Sequence, residues 1–188
     1  MKRLFMIILC CLLAIGLMGC STNEGNNEVS EPTPDEINVE DISQPEETVV
    51  TLYFGNEDGY LRKELRTVNW VPSAENGGQL VEELIKGTQD TDNTLNVIPE
   101  GTKLLNYQFD AEQGRATVDF SEHVLGAAGS MGEIFVVYSV VNTLTELPGV
   151  ENVMFLVEGK EVETIAGHIY TGEPIERDIN LLEGNALK

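Results

Sequence analysis

From residue 48 onward, apolar and polar positions alternate at a two-residue period, then at a helical one, and then repeat the pair. Residues 49–54 set Val50, Leu52 and Phe54 on one side and Val49, Thr51 and Tyr53 on the other, a strand rich in β-branched and aromatic side chains. Residues 55–59 read as a turn. Residues 60–68 return as a second strand, with Leu61 and Leu65 among charged neighbours and no register dictated. After the break at Pro72 and Ser73, Leu80, Val81, Leu84 and Ile85 recur at helical spacing and predict a helix over 74–86. Gly77 and Gly78 weaken its start, and Gly87 is a natural stop. Residues 88–101 form a polar loop with Leu95, Val97 and Ile98 tucked beneath it.

The tightest patterning runs over 102–158. Leu105, Tyr107 and Phe109 share one face of a strand over 103–109, and residues 110–114 turn the chain. Residues 115–120 come back with Ala116, Val118 and Phe120 inward, which completes a hairpin. Ser130 and Glu133 have the spacing of a capping box at the head of a helix striped with Ile134, Val137, Tyr138, Val141 and Leu144. Pro148 and Gly149 end it. Residues 153–157 are almost unbroken apolar, as expected of a strand buried on both faces or in mid-sheet. Short strands are expected near 161–165 and 175–178. The order β-β-α-β-β-α-β predicts an α+β fold, with two helices packed on one face of a mixed sheet.

Ahead of this domain stand two segments of different character. Lys2 and Arg3 precede a fourteen-residue apolar run, too short to span a bilayer comfortably, which closes on Leu17-Met18-Gly19-Cys20. That ending resembles the lipobox of bacterial lipoproteins. It implies a signal peptide over 1–19 and lipidation of Cys20, which places the chain on the extracytoplasmic face of a cell membrane. Acyl chains on that cysteine would hold it there stably. With Cys10 and Cys11 in the signal and Cys20 acylated, no thiol remains for a disulfide, a nucleophile or a thiolate metal site.

Residues 20–47 read as a tether. The 27 residues after Cys20 hold nine acidic side chains and no Lys or Arg, a disordered composition extended by self-repulsion. As a coil it spans about 30 Å, and stretched roughly 90 Å. Residues 48–188 are then the folded domain. The whole chain carries a formal charge of -21, which disfavours nucleic acid and makes a basic protein surface or a cation the more natural partner.

Several segments together resemble the GerMN domain of bacterial sporulation and germination lipoproteins: Val50-Thr51-Leu52-Tyr53-Phe54, Glu83-Leu84-Ile85-Lys86-Gly87, Ile98-Pro99-Glu100-Gly101-Thr102, Ala116-Thr117-Val118-Asp119-Phe120-Ser121 and Val141-Asn142-Thr143-Leu144-Thr145. The likeness covers residues 48–178 as a single copy. It implies a fold similar to the ring-building motif, α-β-β-α-β, over 74–158. Domains of that kind stack side by side in membrane-associated assemblies. No catalytic residue and no cofactor come with the resemblance.

The candidate chemistry is sparse. Asp119, Ser121 and His123 are the residue types of a hydrolase triad, but a triad is defined by geometry, and strand alternation already accounts for the first two. Gly126, Gly129 and Gly132 precede a helix, as in anion-binding loops, yet no Lys or Arg lies within the loop. Asp90, Asp92 and Asn93, like Asn56, Glu57 and Asp58, hint at calcium without the spacing of a calcium loop. His123 and His168 stand far apart. Tyr60 and Trp70 lie near turns and suit either an interface anchor or a cap on the core. The first expectation is therefore a non-catalytic protein-binding or assembly module in the sporulation, germination or cell-envelope machinery, with envelope proteins as partners and self-association open. The second is a receptor-like domain for a small cell-wall-derived ligand. Hydrolysis ranks third.

Overall fold

The computed structural model describes residues 47–185. The signal peptide, Cys20 and the tether through residue 46 lie outside the described residues. The first hairpin pairs β1 (Thr48–Gly55) with β2 (Leu61–Val68), antiparallel from Thr48↔Val68 to Gly55↔Leu61. Val50, Leu52 and Phe54 enter the core as their alternation requires.

The register that the sequence left open in β2 is now fixed. Leu65 turns outward at 62% exposure, and Arg66 is buried in its place. Arg66 pairs with Val50, a core position, so its side chain must go inward. There its guanidinium meets the Glu64 and Glu83 carboxylates and donates to the carbonyls of Glu83 and Gly87. A buried cation survives because each charge has a partner.

The helix expected over 74–86 is broken. A 3-10 turn (Ala74–Asn76) precedes α1 (Gly78–Ile85). The cause is close approach: a Cβ at Gly77 or Gly78 would collide with the Tyr107 side chain, whose hydroxyl donates to the Ala74 carbonyl at 2.7 Å. The two glycines let the helix lie against the next strand.

That strand, β3 (Leu104–Asp110), pairs antiparallel with β4 (Arg115–Phe120). A register shift between Leu104 and Asn106 turns Leu105 out to solvent, although the sequence pattern grouped it with Tyr107 and Phe109. One inserted residue is enough to reverse a side chain. β4 runs parallel to β5 (Asn152–Val157), and α2 (Gly129–Leu144) makes the crossover. β5 is central as expected, with β4 on one flank and the short β6 (Lys160–Glu161) and β7 (Ile175–Glu176) on the other.

The α+β class and the order of elements stand, but the strands form two sheets, one of two strands and one of five, where one mixed sheet was expected. The reason lies on the edge of β1, which meets loop and helix instead of a strand. The Tyr53 N–H donates to Thr143 Oγ1 at 3.1 Å, and the Gly55 carbonyl accepts from Leu95 at 2.8 Å. α2 is wedged beside β1, buried on most of its surface, and packs Val136, Val137, Val140, Val141 and Leu144 against Phe54, Phe120 and Phe155 in one core.

Candidate interaction surface

Tyr60 and Trp70 lie just beyond opposite ends of β2, so the strand holds them apart rather than in one anchor. Trp70 is partly buried against the core and lines a cleft of about 220 Å³ with Glu47, Thr67, Val68, Asn69 and Glu83. Tyr60 belongs to the β1–β2 turn, where Asn56 Oδ1 accepts its N–H and that of Asp58.

Two aliphatic side chains are exposed near the Trp70 end of the hairpin. Val49 is 61% exposed and Val71 66%. Val49, Val50 and Thr51 form one side of a second cleft, about 260 Å³, closed by Pro72, Leu80, Glu146, Leu147 and Pro148. Glu146 is held by an arrangement that local sequence does not disclose. Its carboxylate accepts from the Tyr53 hydroxyl at 2.7 Å and from Arg177 at 2.6 Å, and Arg177 also lies over the Tyr53 ring. Burial pushes the Glu146 carboxyl up, yet the Tyr53 and Arg177 hydrogen bonds outweigh it and leave its pKa below the ordinary value. Burial, reinforced by Glu146, pushes the Tyr53 hydroxyl up.

Glu133, expected as a helix cap, does something else. α2 begins at Gly129 with Ala128 as its cap, and the Glu133 side chain is fully buried. Its Oε1 accepts from the N–H groups of Ile165 and Ala166 at 2.9 and 2.7 Å. Its Oε2 accepts from His168 and Ile169 at 2.7 and 3.2 Å, with His168 Nδ1 at 3.1 Å. Burial alone would raise its pKa, and the four backbone donors together hold it below the ordinary value. The glycine-rich loop thus leads into a helix whose buried carboxylate anchors residues 165–169.

The remaining sequence candidates serve the main chain. Asp119 Oδ1 accepts from Gly159 and Ser121 Oγ from Lys103, both at 2.9 Å, and neither side chain shares a hydrogen bond with His123 among the described residues. The two acidic turns do come together: Asn56, Glu57 and Asp58 line one cleft with Asp92, Asn93 and Arg62. Among the described residues no group of three or more His, Cys, Asp or Glu side chains is arranged to hold a metal ion.

Comparison with known proteins agrees with this geometry. The model of the family described as "Germane: Sporulation and spore germination" matches residues 51–163. Spore germination protein GerM of Bacillus subtilis (strain 168) is 32% identical over 109 residues, which is 56% of this chain but only 29% of GerM. Among solved structures, the tandem GerMN domains of that sporulation protein align with TM-score 0.55 at 23% identity, over 71% of this chain and 46% of theirs. A putative lipoprotein from Clostridium perfringens aligns with TM-score 0.52 at 22% identity, over 74% of this chain and 94% of its own. These structural likenesses show a shared fold, and the match over residues 51–163 shows the lineage: the chain belongs to the Germane family of sporulation and spore germination.

Proposed function

We propose that this is a lipid-anchored extracytoplasmic protein whose GerMN domain works by binding proteins of the sporulation, germination or cell-envelope machinery, without catalysis. The observation that carries the reading is how the domain uses its side chains. Asp119 and Ser121 are spent on backbone N–H groups, while the aliphatic side chains of Val49 and Val71 are left exposed near a cleft of mixed polarity at one end of the first hairpin. Exposed apolar surface rimmed by polar groups marks interaction sites. Anchoring through Cys20 and the acidic tether would present that surface away from the lipid.

The test is crosslinking of the full protein in intact cells, followed by mass spectrometry of the adducts. Recovery of itself or of membrane-complex subunits supports the reading. A protein that stays monomeric and captures no envelope protein refutes it.

A second reading has one observation in its favour. A cleft of about 260 Å³ with a carboxylate at its rim approaches the size of a small-ligand site. Soluble cell-wall fragments would then raise the melting temperature in a concentration-dependent way. A flat response across a fragment panel removes that reading.

A further inference from the structure

We propose that the outer edge of β1 is a strand-addition site, which takes up an extended, basic segment of a partner protein; the proposal rests on the protein-binding reading above. In an antiparallel ladder, the N–H and C=O of one residue point the same way, and successive residues alternate between the partner strand and the free side. Asn56 N–H donates to the Tyr60 carbonyl at the hairpin turn, so the even-numbered residues of β1 bond to β2. Its odd-numbered residues face away, and three observations agree. Tyr53 donates to Thr143, Gly55 accepts from Leu95, and on the opposite edge Leu61, paired with Gly55, accepts from Glu183.

The same alternation turns the N–H and C=O groups of Val49 and Thr51 away from β2, on the side of Thr143. No hydrogen-bond partner receives these four groups among the described residues. They open on the cleft closed by Pro72, Leu80, Glu146, Leu147 and Pro148. Two of those walls are prolines, which have no N–H to offer. Open main-chain edges beside pockets for alternate side chains are how extended peptides are captured as added strands. The other edges are less suited: that of β2 carries Lys63 and is closed at Leu61, and that of β3 is broken by its bulge.

Charge selects the occupant. Glu146 lines the cleft, paired with Arg177 and with Lys63 also near it. Exposed Glu47 directly precedes β1, and exposed Glu75 follows Pro72. A second copy of a chain with charge -21 meets like charge here, and so does the chain's own tether, with nine acidic residues and no Lys or Arg. A partner strand that alternates apolar residues with Lys and Arg meets the opposite sign.

The test uses the full-length protein in detergent micelles and a peptide of about eight residues alternating Val with Lys and Arg, beside its Glu-substituted counterpart. Amide hydrogen exchange reads Val49 and Thr51. Both should exchange fast in the free protein and slow by roughly tenfold or more with the basic peptide alone. Thr51→Pro removes an outward N–H and no β1–β2 bond, so it should abolish that protection while the fold persists. Amides already protected without peptide, protection confined to another face, or equal binding of the acidic peptide would each overturn the proposal. Photo-crosslinkers placed at Val49 and at exposed Tyr170 in cells separate the two levels of inference. Capture through residue 170 alone sinks the strand-addition site and leaves the protein-binding reading, and capture through neither sinks both.

Discussion

Replacing Glu133 with Gln tests whether the loop over residues 165–169 is fixed by one carboxylate. The side chain is fully buried and receives four backbone N–H groups, two on each oxygen, at 2.7 to 3.2 Å. Gln keeps one acceptor oxygen, and turns an NH2 toward the other pair of donors. Each buried donor left without a partner costs about 1–3 kcal/mol, so two of them predict a loss of about 2–6 kcal/mol. That is a large share of the roughly 5–15 kcal/mol that holds a domain of ordinary size. Urea unfolding supplies the global figure, and hydrogen exchange at Ile165, Ala166, His168 and Ile169 reports the local one.

The pH dependence has a definite sign. The folded-state pKa of Glu133 is depressed, so its contribution is complete above the unfolded glutamate value and fades as pH falls through the folded one. The stability gap between the native protein and Glu133→Gln should therefore be widest near neutrality and shrink in acid. A variant within about 0.5 kcal/mol of the native protein, with the four amides still slow to exchange, would refute the assignment.

Arg66→Met should cost about 3–5 kcal/mol in urea unfolding, because it leaves the Glu64 carboxylate, only 9% exposed, without a cation, while Glu83 keeps Lys86. Gly55→Ala would set a Cβ 2.5 Å from the Phe135 ring and should lower stability by about 1–3 kcal/mol through overpacking. Gly129→Ala has nothing within 4 Å but a φ of +65°, so its cost of about 1–2 kcal/mol is conformational, and the crystal structures of the two variants should show ring displacement in the first only. Leu65→Ser, at a position 62% exposed, should leave the melting curve within about 0.5 kcal/mol of the native one.

What the sequence disclosed is what local periodicity controls. Val50, Leu52 and Phe54, the turn at 110–114 and the apolar run of β5 each carry their own period and reached the expected faces. Where an outcome depends on residues far along the chain, local pattern points the wrong way. The register of β2 is left open by its local pattern, and Arg66 rather than Leu65 takes the interior, where Glu83 and the Gly87 carbonyl receive it. Leu105 matches its alternation, and a one-residue bulge reverses it. Glu133 imitates a cap by spacing, whereas its donors come from more than 30 residues downstream. The cleft at β1 is assembled from residues near 50, 72, 80 and 147, so no single stretch announces it.

The C-terminal segment explains why the open edge stays open. After β5 the chain is pinned beside α2 by polar contacts at intervals: Glu133 takes residues 165–169, and Asn142 exchanges two hydrogen bonds with the Asp178 backbone. Arg177 donates to the Asn142 carbonyl, Thr145, Tyr53 and Glu146, and Glu183 pairs with Arg62 while its N–H closes the β2 edge at Leu61. Apolar filler could bury the helix, but it would not fix where the segment lies along it. Directional bonds do, and one of them holds Glu146 against Tyr53, beside the 146–148 wall of the cleft. With Thr143 bonded to the Tyr53 N–H and Leu95 to the Gly55 carbonyl, the edge left open on both N–H and C=O within β1 is, among the described residues, at Val49 and Thr51. An edge left open by weak packing would be long and unwalled, and prone to aggregation. Among the described residues this one is short, walled by Pro72, Leu147 and Pro148, and flanked by a salt-bridged carboxylate, as the proposed strand-addition site requires.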